Sequence, residues 1–165
     1  MLLRDANENP FILDLKWSLT SKNRREEAKN GRSLQLAVYA WLLKSTDPYK
    51  QIHAGYFMLA QNEIISVSPL LAEEMIDSPF TLEEIWDMGL ASLREVLNQF
   101  KSGLVEARGL MEMIKAQEED MELETISNNV AEQYRENGML YQNPECKYCD
   151  FRRICGWTEV KYEEH

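Results

Sequence analysis

Asp14 and Lys16 stand two residues apart in the run Phe11–Lys16 (FILDLK), among apolar neighbours. Side chains alternate across an extended strand, so a carboxylate and an ammonium at that spacing project from one face. The carboxylate suits Mg2+, a hard cation that takes oxygen ligands. The lysine suits an attacking water, which it can position or help deprotonate, or charge growing on a phosphate. By pattern alone, D-x-K at a strand end is more often a surface ion pair, so the chemistry needs further residues. Gln35 and Tyr39, four apart, share one face of any helix that contains them. If that face turns toward the strand end, an amide and a phenol reach the lysine, a water or a phosphodiester backbone. If it does not, Tyr39 is core and Gln35 is exposed. Lys22, Arg24 and Arg25 cluster between the two motifs, where they either touch phosphates or lie solvated.

A second constellation lies near the other end of the chain. Cys146, Cys149 and Cys155 read C-x2-C-x5-C and are the three cysteines of the sequence. A clustered, odd set favours metal ligation over a disulfide framework. Three thiolates are one short of the usual four of a structural zinc or a four-iron cubane. Zinc, iron–sulfur and unligated thiols all remain open on spacing alone.

The elements that must position these residues follow from apolar periodicity. Met1–Arg4 and Phe11–Leu15 read as a hairpin, with Asp5–Pro10 (DANENP) supplying the turn chemistry. Ser18–Asn30 is polar and reads as a loop. Leu34, Ala37, Val38, Trp41 and Leu42 recur at helical spacing, and this helix begins near Gly31–Ser33 and stops before Asp47-Pro48. Gln51–Ala60 and Asn62–Val67 read as two strands with a tight turn at Gln61-Asn62. Thr81 and Glu84 form a capping box that opens a helix with the stripe Ile85, Met88, Leu93, Val96, Leu97 and Phe100, closed at Gly103. A more polar helical region spans Leu110–Glu136. The order implies an α/β layout with a small mixed sheet.

With the motifs in place, ILDLKWS followed by GRSLQLAVYAWLL resembles the RecB-like PD-(D/E)XK nucleases, whose (D/E)-x-K strand precedes a helix carrying Q-x-x-x-Y. YCDFRRICG resembles the tail of those members that carry a four-iron cluster. The resemblance runs from about Met1 to Trp157. It implies a restriction-endonuclease-like α/β core, a small mixed sheet flanked by helices. Residues 1–137 would form a partial nuclease core and residues 138–165 a cysteine tail packed on it. It implies a metal-dependent DNA nuclease, an exonuclease of DNA repair or recombination. Asp14 would bind Mg2+ or Mn2+, Lys16 would be the catalytic lysine, and Gln35 and Tyr39 the helix motif. Lys22, Arg24 and Arg25 would lie on DNA, and Cys146, Cys149 and Cys155 would hold a 4Fe–4S cluster, with Zn2+ the alternative. DNA is the implied partner, with a helicase or another repair subunit beside it.

The sequence departs from that pattern in four places, one of them the absence of the family's upstream helix with its acidic or histidine ligand. The family's further metal-binding aspartate, in a G-x-x-D strand before D-x-K, is not found, nor is a fourth cysteine. The expectation is a piece of a longer protein, or a relic, without efficient nuclease activity as it stands. Trp17 follows the lysine where a small hydroxyl residue is frequent. It reads as a packing residue, with stacking on DNA the alternative and Ser18 available for the hydroxyl role. His53 reads as structural.

Composition bounds the alternatives. The chain has 165 residues and a hydrophobic fraction of 44%, enough for one domain with a core. No run approaches the length of a membrane span and the first residues have no apolar leader segment, so the reading is a cytoplasmic protein. The net charge of −10 argues against binding DNA by charge alone, although Gln117–Glu124 (QEEDMELE) concentrates much of the acid. Two further readings therefore stand beside the nuclease: a non-catalytic nuclease-fold module for DNA binding or assembly, and a zinc-stabilised interaction domain.

Overall fold

Asp5 closes the first turn. Its Oδ1 accepts the backbone N–H groups of Asn7 and Asn9, each at 2.8 Å, and Asn9 Nδ2 donates to Oδ2 at 3.0 Å. These bonds hold the Asp5 carboxyl below the usual carboxylate range, the Asn9 side chain contributing most. Local side-chain bonds of this kind let Asp and Asn replace a backbone turn. The hairpin of β1 (Leu2–Arg4) and β2 (Pro10–Lys16) follows, antiparallel with Leu2 opposite Ile12. The computed structural model describes residues 1–46, 51–68, 75–104 and 123–141, with backbone alone for 123–128.

The remaining strands are β3 (His53–Met58) and β4 (Glu63–Ser66). β3 lies parallel to β2, Asp14 beside Tyr56 and Lys16 beside Met58, and β4 returns antiparallel to β3. The sheet is four-stranded and mixed, in the order β1-β2-β3-β4. The turn between β3 and β4 carries Asn62 in the left-handed region, which Asn tolerates.

A parallel pair needs a crossover connection, and two helices supply it: α1 (Lys22–Lys29) and α2 (Leu34–Lys44). The first corrects the expectation of a loop over Ser18–Asn30. Its sequence lacks an apolar stripe because Ala28 is its one buried residue. Polar bonds anchor it instead. Glu27 Oε1 accepts from Tyr56 Oη at 2.8 Å, and Arg25 pairs with Glu63 on β4. Gly31, between the helices, sits at φ +61°, and a Cβ there would meet the Phe80 ring at 2.5 Å. Both facts require glycine.

α2 matches its expected span but presents a different face. Leu36 and Ala37 are its buried residues, whereas Trp41 and Leu42 are exposed. The helix is apolar almost all round, so its periodicity did not define one stripe. Trp41 is stacked instead on Trp86, ring centroids 4.6 Å apart. The core over the sheet unites Ala28 and Leu36 with Ala54, Tyr56, Met58, Ile65 and Ile76.

The next helix, α3 (Leu82–Lys101), opens with the expected capping box. Glu84 Oε2 accepts the Thr81 backbone N–H at 2.8 Å, and Thr81 Oγ1 accepts the Glu84 N–H at 3.2 Å. These bonds to Thr81 hold the Glu84 carboxyl below its ordinary range. At its other end Gly103 adopts φ +80° and the Leu104 N–H returns to Gln99 O at 2.9 Å, a stop of the Schellman kind. Ile85 and Met88 are buried, but Leu93, Leu97 and Phe100 are exposed, so the expected stripe is covered along its first half alone.

Two compact units divide the chain, Met1–Gly89 and Leu90–His165. The first contains the sheet, α1, α2 and the start of α3. In the second, α4 (Leu123–Glu136) is the described part of the helical region expected over Leu110–Glu136. Its Val130 is buried, as are Leu140 and Tyr141, and Ser92 Oγ donates to Leu140 O at 2.9 Å. The cysteines, and with them the expected tail beyond Tyr141, lie outside the described residues. No described helix is long and apolar enough to cross a membrane.

Candidate active site

β2 and β3 run parallel, so their carboxyl ends lie on one rim of the sheet, the usual location of sites in open α/β sheets. Asp14 and Lys16 are the last charged residues of β2 and project from one face. Lys16 Nζ lies 3.0 Å from Asp14 Oδ2, and both side chains are largely withdrawn from solvent, at 23% and 15% exposure. Asp14 Oδ2 is fully buried and receives no hydrogen bond. The ion pair is therefore close but not aimed along a lone pair.

α2 provides the next two groups. Gln35 Oε1 accepts a hydrogen bond from Lys16 Nζ at 2.8 Å, and Gln35 Nε2 donates to Tyr39 Oη at 2.9 Å. The amide orientation is forced, because an ammonium only donates and so must face the oxygen. Tyr39 Oη accepts from Gln35 and keeps its own proton for another acceptor. Asp14, Lys16, Gln35 and Tyr39 thus form one continuous polar chain across β2 and α2. An open groove of about 610 Å³ adjoins its two ends, lined by Asp14 and Tyr39 and walled by Met1, Ile12, Leu42 and Leu43.

Beneath the lysine lies a residue that strand alternation alone left as core. Tyr56, in register with Asp14 on the next strand, places its ring 5.8 Å from Lys16 Nζ and 5.3 Å from Arg24 Cζ. Both are within reach of a cation–π contact. Burial pushes the Tyr56 phenol far above its ordinary range and the Glu27 charge adds to the effect. The phenol is a permanent donor to Glu27. Neither Tyr56 nor Glu27 carried a motif. Only knowing that β2 and β3 pair in parallel register would have found them.

The basic cluster is placed differently from the motif residues. Arg24 and Arg25 sit on α1, where Arg24 pairs with Glu27 and Arg25 with Glu63. Lys22 begins the helix and is exposed. His53, at the opposite end of β3, is buried and shares a hydrogen bond between its Nδ1 and Ser68 Oγ. Burial lowers its pKa, with the Asp5 charge acting weakly the other way. Trp17 corrects the packing expectation outright, being 78% exposed. Cys146, Cys149 and Cys155 lie outside the described residues. Among the described residues no three His, Cys, Asp or Glu side chains converge as a ligand set.

A family model described as the PD-(D/E)XK nuclease superfamily matches residues 2–156. No curated protein and no solved structure matches the chain.

Proposed function

This chain belongs to the PD-(D/E)XK nuclease superfamily, and from that premise we propose that it hydrolyses DNA phosphodiester bonds with a divalent cation bound at Asp14. The observation that carries the reading is the polar chain Asp14–Lys16–Gln35–Tyr39, with its 3.0, 2.8 and 2.9 Å spacings. Asp14 suits a hard cation. Its Oδ2 is buried without a hydrogen bond and has the Lys16 ammonium 3.0 Å away as its charge partner, and an oxygen with lone pairs left unfilled can take a further positive ligand. Mg2+ and Mn2+ fit one such carboxylate, because Mg2+ commonly keeps waters and takes its other ligands from substrate phosphate. When bound, the ion polarises a phosphoryl oxygen and acidifies a coordinated water.

The chain's own residues set the geometry. Lys16, held between Asp14 and Gln35, presents its ammonium where charge accumulates on the phosphate or where the attacking water sits. Gln35 fixes the lysine's direction, and Tyr39 fixes Gln35. The free Tyr39 proton is available to a non-bridging phosphate oxygen. Hydrolysis adds one water across a P–O bond, so the site must orient that water and neutralise the charge that develops.

We extend the proposal to an exonuclease that acts in DNA repair or recombination beside a helicase or another repair subunit. The likeness of the motifs to RecB-like nucleases supports this part. For Cys146, Cys149 and Cys155 the proposal is a structural 4Fe–4S cluster, with Zn2+ the alternative, supported by their spacing. A brown protein with broad visible absorbance after anaerobic purification is expected, and zinc alone on metal analysis decides for the alternative.

The test is cleavage of end-labelled linear DNA under single-turnover conditions, with Mg2+ or Mn2+ and with chelator. Cation-dependent cleavage that disappears in Lys16→Ala supports the reading and overturns the expectation of weak activity, and resistance of closed circular DNA marks an exonuclease. One observation favours a second reading. The net charge is −10 and Arg24 and Arg25 are neutralised within the fold, which suits a non-catalytic module. Cleavage unaffected by Lys16→Ala decides against the hydrolase.

A further inference from the structure

Tyr56 belongs to the core over the sheet and is fully buried, yet its ring also lies under the lysine of the proposed site. Register explains how one residue does both. Asp14 pairs with Tyr56 and Lys16 with Met58 along parallel strands, and side chains in register share a face. The face of β2 that carries Asp14 and Lys16 therefore continues on β3 as Tyr56 and Met58, both buried. Lys16 Nζ stands over the Tyr56 ring, 5.8 Å from its centroid. A core alone does not call for tyrosine here. Phenylalanine fills nearly the same volume without a hydroxyl, and a buried hydroxyl is costly unless it is bonded. This one donates to Glu27 Oε1 of α1 at 2.8 Å, and Glu27 also pairs with Arg24. Burial keeps the phenol protonated far above its ordinary range, so the bond persists in alkaline solution and holds the far edge of the ring.

The lysine needs such a surface. Its stem is flexible, and its ammonium has three donors with no fixed direction. Gln35 holds it at 2.8 Å, and Asp14 lies 3.0 Å away. Two contacts define an axis about which the ammonium can still swing, and a third contact off that axis stops the swing. The negative face of an aromatic ring attracts an ammonium within about 6 Å. A divalent cation at Asp14 would weaken the Asp14 contact by like-charge repulsion. Gln35 and the ring are then what retains the lysine.

We infer that Tyr56 is a positioning residue of the proposed hydrolysis, its ring holding the Lys16 ammonium in place through a cation–π contact. The kinetic part of this rests on the nuclease reading and adds to it a residue that carried no motif. The contact itself is open to measurement without any cleavage.

Three variants separate the ring from the core. Tyr56→Leu removes the ring, Tyr56→Phe keeps it and loses the hydroxyl, and Ile76→Val loosens the same core cluster without removing a ring. Rates are measured in Mg2+ under single-turnover conditions at saturating DNA, where urea denaturation shows each variant folded, and DNA binding is measured in chelator. Tyr56→Leu is expected to cleave about tenfold more slowly, or about 1.4 kcal/mol, within the range of a cation–π contact, with unchanged affinity for DNA. Tyr56→Phe is expected to retain most of the rate and Ile76→Val all of it. Tyr56→Leu at the parent rate, or an equal loss in Ile76→Val, overturns the inference, and cleavage by the parent then leaves the nuclease reading standing. The second measurement is the NMR signal of the Lys16 Cε protons, assigned by its loss in Lys16→Ala. The ring is expected to shift it upfield of the other lysines in the parent and in Tyr56→Phe. A parent signal at the ordinary lysine position overturns the inference with no variant needed, and decides the question in a chain that does not cleave.

Discussion

Replacing Gln35 by leucine separates the lysine from its helix without emptying the site. In the parent, the Gln35 carboxamide accepts from Lys16 Nζ at 2.8 Å and donates to Tyr39 Oη at 2.9 Å. Leucine has a similar volume and no polar atom, so both bonds vanish while the packing persists. Lys16 keeps its Asp14 neighbour at 3.0 Å and is drawn toward it, away from the phosphate. A hydrogen bond to a charged group contributes roughly 1.5–3 kcal/mol. If about 2 kcal/mol of that bond serves to aim the ammonium in the transition state, the rate falls about 30-fold. Stability falls less, by about 1 kcal/mol, because Lys16 is partly hydrated and can recruit water. The assay is single-turnover cleavage of labelled linear DNA in Mg2+, with urea denaturation on the same preparations. Gln35→Leu at the parent rate, alongside an inactive Lys16→Ala, refutes the idea that α2 aims the lysine. A 30-fold loss with the melting curve nearly unchanged supports it.

Asp14→Asn should abolish cation-dependent cleavage. It should also erase any rise in melting temperature that Mg2+ or Mn2+ produces in the parent, since a ligand stabilises only the state that binds it; a persisting rise places the ion elsewhere. Tyr56→Phe removes the 2.8 Å bond to Glu27 but leaves the Arg24–Glu27 pair. It should cost about 1 kcal/mol in urea denaturation, and an unchanged urea midpoint would contradict this account of the bond. His53 is buried and its pKa is lowered below 6.5. The unfolded chain therefore binds a proton that the folded chain refuses. Its contribution to stability is complete above about pH 6.5 and is lost as pH falls below that value. His53→Gln should flatten the decline in urea midpoint on this acidic side, and an unaltered slope assigns the decline to other groups.

The hairpin, α2, β3, β4 and the opening of α3 were legible because each carries a local signal. Asp5 and the asparagines turn the chain, Thr81 and Glu84 cap a helix, and β3 is an unbroken apolar run. α1 was not legible, because it is held by bonds to other elements. Glu27 meets Tyr56 across 29 positions and Arg25 meets Glu63 across 38. Pattern reading detects apolar periodicity, and α1 has almost none. Asp14, Lys16, Gln35 and Tyr39 were legible as candidates because strand and helix spacing fix which neighbours share a face. Trp17 was misread because apolarity implies burial only on average. The strand's end releases the residue from that rule.

The misreading of α1 bears on the acidity of the chain. A net charge of −10 is unfavourable for a polyanionic substrate, and the basic residues between the motifs are the local positive charge the sequence offers. On α1 two of them instead serve the fold, since Arg24 lies against Tyr56 and Glu27 and Arg25 braces Glu63. Tyr56 in turn floors the site under Lys16. Their positive charge is thus engaged within the fold, by Glu27, Glu63 and the Tyr56 ring. On the proposed reading, contact with DNA falls to groups placed at the site itself: a cation at Asp14 and the proton of Tyr39. Each is local, and each is short-ranged enough that ten surplus negative charges spread over the chain do not cancel it.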